Sequence, residues 1–386
     1  MSLLVSVIGA GAMGSGIAQV AASNDSAVTI VDSSPQALEN SQSKLKSILN
    51  RLVEKRKINK EESQHIISNI NWSSEMNEIS NSNLVIEAIV ENMEIKQILF
   101  SQMESLVSDD CILATNTSSL SVAGIASVCN NPSRIMGIHF FNPAPLMKLV
   151  EVIPTNETDG DLLKEVKSIL EGWGKTVVTA KDTPGFIVNR VARPFYGEAL
   201  KIYEEGIADF ATVDWAMKKF GGFRMGPFEL MDYIGNDVNY SATKAVYDGT
   251  NHDPRYKPSA TQKKLMDEGL LGRKSGKGYF DYSENAVNPE PQKNEELGRK
   301  IFKRILAMLI NAAVDALNES IATRDDIDTA MKTGVNYPKG LLKWADEIGL
   351  NSQVAQLKEL HSKFEDDRYI ANPLLIKKVE ENGTFY

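Results

Sequence analysis

Residues 3–22 read LLVSVIGAGAMGSGIAQVAA: a β-rich run, three glycines, then a helix-forming run. The glycines stand as Gly9-x-Gly11-x-x-Gly14, with Ala12 and Met13 inside the same turn. Between a strand and a helix, the first glycine allows a tight turn and the second lets backbone approach a pyrophosphate. The third lets the helix pack closely on the strand, and the helix N-terminus offers unpaired N–H groups to the anion. The glycines alone are a weak signal. Here a second strand pattern, VTIVD, ends at Asp32, 18 residues after Gly14, where an acid accepts hydrogen bonds from a ribose diol. That carboxylate would repel a 2′-phosphate, and Ser33-Ser34-Pro35 supplies no arginine to receive one. The stretch predicts a dinucleotide site that takes NAD in preference to NADP.

Further strand candidates are AVTIVD, NLVIEAIV, CILATN, RIMGIHFF, LVEVIP and TVVTA, with amphipathic stretches such as 35–57 and 94–107 between them. Short β-rich runs alternating with longer helical patterns predict an α/β fold built on a parallel sheet with crossover helices. KDTPGFIVNR (181–190) interrupts the alternation, and the chain beyond it reads mainly helical. That helical part repeats itself at an offset of about 114 residues. Arg190 pairs with Arg304, Ala199 with Ala313 and Glu205 with Glu319; IADFATVDWAM (207–217) meets IATRDDIDTAM (321–331). After a three-residue slip at Pro227 and Pro338, Asp232-Tyr-Ile-Gly235 matches Asp346-Glu-Ile-Gly349. SENAVNPEPQKNEE (283–296) reads as a linker between the copies. The expected domains are therefore 1–182, 183–283 and 297–386.

A length of 386 residues, 42% hydrophobic and 24% charged, fits a globular chain of two or three domains. No apolar run approaches the roughly 20 residues of a membrane helix. The start runs straight into a strand without a basic leader, so a cytoplasmic protein without membrane association is expected. Cys111 and Cys129 are too few for a disulfide framework and read as buried thiols. A net charge of −9 argues against nucleic-acid binding. Against that background, residues 44–60, KLKSILNRLVEKRKINK, are locally basic, either as a solvated helix face or as a site for a phosphate-bearing ligand.

GIHFFNP (137–143) places one of only four histidines inside an apolar strand run. A nicotinamide enzyme that oxidises an alcohol needs a base for the hydroxyl proton. His139 lies near the carboxyl ends of the strands, where ligands bind in such sheets. Glu151, inside the apolar LVEVIP run, is costly to bury without a partner. A His139–Glu151 pair explains both residues, the acid fixing the imidazole tautomer; two separately solvated residues is the plainer alternative.

GIHFFNPAPLMKLVEVIP, with NTSSL (116–120) before it and DTPGFIVNR (182–190) after it, resembles the L-3-hydroxyacyl-CoA dehydrogenases, 3-hydroxybutyryl-CoA dehydrogenases included. The resemblance covers nearly the whole chain. It implies a Rossmann-type doubly wound domain followed by helical domains, with the active site between them. It also implies His139 as general base, Glu151 as its orienting carboxylate, and Ser118 at the substrate's 3-oxygen and the nicotinamide. Asn189 is the implied second polar group on the substrate. Asn116, Ala88, Glu91, Lys96 and Asn142 resemble residues lining NAD, and Lys274 a lysine reaching it from the helical domain. Lys55 and Arg56 fall where the family binds the phosphates of CoA. No metal site is expected.

The second helical copy departs from the plain family plan: it begins RKIFKR where the first begins GFIVNR, so Lys303 replaces the asparagine. It carries no second His–Glu pair and no glycine fingerprint. In single-copy relatives this domain forms a homodimer interface, so the extra copy resembles a covalently attached partner, and the chain is expected as monomer or homodimer. Competing functional readings are a dehydrogenase of a free hydroxy acid or sugar acid, and a non-catalytic NAD-binding relative.

Overall fold

The computed structural model describes residues 3–386. The chain divides between Thr183 and Pro184 into two compact units. In the first, β1 (Leu4–Ile8), β2 (Ala27–Val31), β3 (Ile70–Ser73), β4 (Leu84–Glu87), β5 (Ile112–Thr115), β6 (Ile135–Phe140), β7 (Leu149–Pro154) and β8 (Thr176–Thr179) form one sheet, in the order β3-β2-β1-β4-β5-β6-β7-β8. The helices between them are α1 (Ala12–Ala22), α2 (Pro35–Glu54), α3 (Lys60–Ser68), α4 (Met93–Leu106), α5 (Val122–Ala126) and α6 (Gly160–Gly172). β1 pairs in parallel with both β2 and β4, so the strand order reverses at β1. Such a reversal opens a crevice outside the carboxyl ends of the strands.

Period-two alternation sorts the strand residues onto two cores. Val5, Val7, Ile86, Ala114, Ile138, Val150 and Val152 share one core with Ile17 of α1, Leu45 of α2 and Val166 of α6. Ile8, Val85, Leu113 and Ile135 face the other, against Phe100 and Met103 of α4 and Ile125 of α5. Local signals set the helix ends. In α2, Ser34 accepts the N–H of Ala37 and Pro35 fills the first turn, where a missing N–H costs nothing. Its apolar stripe of Leu38, Leu45 and Leu49 is buried. Cys111 is buried, Cys129 half-buried, and both are free thiols. Burial pushes the Cys111 thiol up to about 12 and the Cys129 thiol up to about 11.

The sheet corrects two expectations. β3 is a strand missing from the expected set: its four residues at the sheet edge, INWS, alternate apolar Ile70 and Trp72 with polar Asn71 and Ser73, but over too short a run to stand out. And the sheet is not wholly parallel, because β7 runs antiparallel to β6. Residues 141–148 between them are too few for a helical crossover, which takes a dozen or more residues.

The second unit is helical: α7 (Val188–Val191), α8 (Arg193–Glu204), α9 (Phe210–Gly221), α10 (Pro227–Ile234), α11 (Asn236–Gly249) and α12 (Ala260–Asp267), then α13 (Glu295–Asn318), α14 (Arg324–Gly334), α15 (Leu341–Ile348), α16 (Leu350–Phe364) and α17 (Pro373–Glu380). Contacts recur between its halves. Buried Asp214 accepts the N–H groups of Phe228 and Glu229 at the start of α10, and Asp328 those of Leu342 and Lys343 at the start of α15. Asp232 binds the backbone of Tyr279 and Phe280, and Asp346 that of Phe385 and Tyr386.

The halves are joined by reciprocal ion pairs of two buried arginines, each with one buried acid (Asp315, Glu198) and one exposed acid (Glu319, Glu205). Arg190 reaches Asp315 (3.1 Å) and Glu319 (2.7 Å), while Arg304 reaches Glu198 (2.9 Å) and Glu205 (2.8 Å). Tyr369 also donates to Glu198, at 2.9 Å. Removing one partner of a buried pair strands the other's charge. Arg304→Met is therefore expected to destabilise the second unit by about 3–5 kcal/mol, read as a lowered Tm; an unchanged Tm would show that these pairs do not hold the halves together.

Candidate active site

The turn between β1 and α1 shows what each glycine is for. Gly9 has φ +107°, and a Cβ on it would stand 2.6 Å from the carbonyl oxygen of Ala88, at the end of β4. A Cβ on Gly14 would lie 1.9 Å from the Gly9 carbonyl oxygen. Both are demanded by the fold. Gly11 differs: its φ is −68°, and nothing lies within 4 Å of where its Cβ would be. It caps α1, whose first turn holds no acidic residue and no side-chain cap, so Ala12, Met13 and their neighbours present backbone to an open approach. Asp32 is aimed at the same turn, one carboxylate oxygen accepting the Ala10 N–H (2.8 Å) and the other the Ser34 N–H (2.9 Å). An open cradle at a helix N-terminus with an oriented acid beside it fits a dinucleotide.

Along the same carboxyl edge lies the imidazole. β6 and β7 pair so that His139 stands opposite Glu151, and directly opposed residues of an antiparallel pair point to the same face. Nδ1 of His139 lies 2.7 Å from Oε2 of Glu151. His139 is 5% exposed and Glu151 is fully buried. A carboxylate only accepts, so Nδ1 carries the hydrogen and the lone pair of the neutral ring sits on Nε2. The Phe141 ring packs 4.5 Å from the imidazole.

A second buried network supports the edge between these two features. Glu87, the last residue of β4, is fully buried and takes the Lys96 ammonium at 2.5 Å, the Thr115 hydroxyl at 2.7 Å and the Ile89 N–H at 2.7 Å. Lys96 is 1% exposed and also lies 3.4 Å from Glu91. Glu91 in turn accepts from the Thr117 hydroxyl (2.6 Å), the Ser118 N–H (3.0 Å) and the Ser119 hydroxyl (3.1 Å). Burial alone would raise its carboxyl; these donors and Lys96 outweigh that and hold it below its ordinary value. Asn116 completes the connection, its side-chain oxygen accepting the Phe140 N–H at 2.8 Å. Ala88, Glu91, Lys96, Asn116, Ser118, His139 and Glu151 thus belong to one connected edge.

Sequence reasoning missed Glu87, Thr115 and Thr117, and the signal was present. A lone acid in NLVIEAIV is the same anomaly that marks Glu151 in LVEVIP. It also missed Lys175, which is 9% exposed and donates from Nζ to the carbonyls of Ala144 (2.6 Å) and Met147 (2.9 Å). That lysine braces the loop carrying Asn142, itself exposed, and burial pulls its pKa down.

Asn189 and Lys274 belong to the second unit. Asn189 is half-buried on α7, and Lys274 is paired with Asp237, Nζ to carboxylate at 2.6 Å. Lys55 and Arg56 are exposed just past the end of α2, Arg56 with φ +53°. The hollow on α2 lies earlier, lined by Ser43, Lys46, Ser47, Asn50, Arg51 and Glu54; its cations are Lys46 and Arg51. Among the described residues, no helix is long and apolar enough to cross a membrane.

A dinucleotide turn and an acid-held imidazole on one edge of a doubly wound sheet define a nicotinamide-dependent dehydrogenase. The profile of the 3-hydroxyacyl-CoA dehydrogenase NAD-binding domain matches residues 4–183, and that of the C-terminal domain of the same family matches 185–282 and 301–384. The chain belongs to the NAD-dependent 3-hydroxyacyl-CoA dehydrogenase family. It is 33% identical to the 3-hydroxyadipyl-CoA dehydrogenase of Escherichia coli K12, over 95% of each chain. It is 41% identical to a probable 3-hydroxybutyryl-CoA dehydrogenase of Bacillus subtilis, covering 72% of this chain and 97% of that one. The crystal structure of an Escherichia coli K12 3-hydroxybutyryl-CoA dehydrogenase superimposes with a TM-score of 0.92, at 32% identity over 99% of both chains.

The two kinds of glycine separate fold from binding. Gly11→Ala is expected to leave Tm nearly unchanged while weakening NAD at least tenfold by calorimetry, whereas Gly14→Ala is expected to unfold the first unit. Equal loss of stability in both would contradict the open cradle at Gly11.

Proposed function

We propose that the chain interconverts L-3-hydroxyacyl-CoA and 3-ketoacyl-CoA with His139 as the general base. The observation that carries this is the 2.7 Å contact that fixes Nδ1 of His139 on Glu151. NAD, when bound at the Gly9–Gly14 turn and Asp32, supplies the hydride acceptor for carbon 3. Nε2 of His139 takes the hydroxyl proton, and the Glu151 carboxylate stabilises the imidazolium that results. Ser118, held through its backbone by Glu91, and Asn189 hydrogen-bond the 3-oxygen in both its alcohol and ketone forms and so hold carbon 3 in place. Glu91, Lys96, Asn116 and Asn142 are the residues we assign to the nicotinamide side of the cofactor, and Lys274 is assigned to the cofactor as well. The CoA phosphates fall to the basic surface of α2, where Lys46 and Arg51 of the hollow join Lys55 and Arg56 as ligands.

The relatives are named for different acyl groups, so the class they share, the 3-hydroxyacyl-CoA, is the substrate we assign. We read the second helical copy as the covalent counterpart of a dimer's second subunit; the reciprocal Arg190 and Arg304 pairs support that reading. The setting we assign is the cytoplasm.

His139→Gln is expected to lower NADH formation from 3-hydroxybutyryl-CoA by about 10²–10⁴-fold while NAD affinity holds. Unchanged turnover would remove His139 from the mechanism. Turnover of free 3-hydroxybutyrate equal to that of its thioester would move the reading to a free hydroxy acid.

A further inference from the structure

Among the described residues five arginines are buried: Arg134, Arg190, Arg193, Arg304 and Arg368. Four have an acid within 4 Å: Glu104 at 3.8 Å from Arg134, Asp315 at 3.1 Å from Arg190, Glu198 at 2.9 Å from Arg304 and Asp366 at 3.0 Å from Arg368. Arg193 has none among the described residues, although it is only 6% exposed. Its guanidinium makes two long hydrogen bonds through one terminal nitrogen, to the Asn239 carbonyl (3.4 Å) and the Thr243 hydroxyl (3.2 Å). Its Nε is sealed from solvent and unpartnered, as are the Asn239 side-chain nitrogen and the Tyr337 hydroxyl.

The guanidinium sits 4.9 Å over the Tyr196 ring. The groups that bear on it electrostatically are the phenols of Tyr196 and Tyr337, not a carboxylate, and burial pulls its pKa down. Guanidinium stays charged in a protein, and a buried charge requires a counter-charge or dense hydrogen bonding. Around Arg193 donors outnumber acceptors, a setting that suits an anion.

Its place in the fold says which anion. Asn189, Arg193 and Tyr196 stand at i, i+4 and i+7, and the backbone between α7 and α8 stays right-handed helical at Ala192 (φ −78°, ψ −13°), so the three share a face. Arg190, off that face, is the arginine that Asp315 and Glu319 take up. Residues four apart on a helix lie about 5–6 Å apart at Cβ. In a six-carbon chain the terminal carboxyl is three bonds of about 1.5 Å from carbon 3. A chain held at its 3-oxygen by Asn189 therefore ends within reach of Arg193.

We propose that Arg193 binds a carboxylate at the far end of the acyl chain, so that the substrates of this chain are 3-hydroxyacyl-CoA thioesters carrying a second carboxylate. This rests on the reading of the chain as a 3-hydroxyacyl-CoA dehydrogenase with Asn189 on the substrate. A guanidinium matches a carboxylate in two-point geometry that a methyl terminus cannot offer, so the preference is set by one residue.

The test compares kcat/KM for 3-hydroxyadipyl-CoA and 3-hydroxyhexanoyl-CoA, which have the same chain length. The expected preference for the dicarboxylate is about 10–100-fold, the range of a hydrogen-bonded charge, and Arg193→Met should bring the ratio near one, chiefly through KM. An unmodified chain without the preference, or a variant that loses both activities equally, would overturn the proposal; the second result would make Arg193 a structural tie to α11. Should the variant fail to fold, calorimetry of adipyl-CoA and hexanoyl-CoA on the unmodified chain decides, equal affinities overturning the proposal. Turnover of neither thioester would instead defeat the dehydrogenase reading, and this inference with it.

Discussion

The antiparallel pairing of β6 with β7 is the constraint on which the site depends. It sets His139 directly across from Glu151 on one face of the sheet, and the side-chain period of two leaves no tolerance: a slip of one residue would turn one partner to the opposite face. The connection enforces the register. Residues 141–148 are too short to cross over the sheet, and the Lys175 ammonium pins two of their carbonyls from below. β5, β6 and nearly all of β7 are buried on both faces, so the pair forms in a water-poor setting, where a hydrogen bond between imidazole and carboxylate is strong and a lone carboxylate would be costly.

The Glu87–Lys96–Glu91 network does for the cofactor side what the strand pairing does for the imidazole. A buried ion pair gives little net stability, because desolvation offsets attraction. Its effect here is positional: through Glu91 it holds the Ser118 backbone, and the strand that supplies Glu87 continues into Ala88, which abuts the Gly9 turn. The Gly9 turn and the Ser118 backbone are thereby referred to the same rigid strand end.

Much of this was legible in the sequence because it is written in local chemistry. Gly9 and Gly14 are glycines for steric reasons any strand–turn–helix shares, and the seven apolar strand runs announce themselves by composition. Other features were not local. β3 is an edge strand whose INWS run alternates over only four residues, too few to stand out, and it pairs with β2 alone. The antiparallel turn of β7 follows from connection length, not from any residue in the strand. Glu87 was readable by the rule that singles out Glu151, yet its partners Lys96 and Thr115 come from different elements, so its role appears only when the sheet is assembled. The basic run 44–60 shows cations but not their facing: helical periodicity puts Lys46 and Arg51 on the hollow of α2 and leaves Lys55 and Arg56 beyond its end.

The central claim, that Glu151 fixes the tautomer of His139, is open to direct measurement. With four histidines in the chain, imidazole ¹⁵N NMR at neutral pH, assigned by loss of one ring's signals in the His139 variant, reports which nitrogen carries hydrogen. The 2.7 Å contact requires hydrogen on Nδ1; hydrogen on Nε2 with a bare Nδ1 would contradict it.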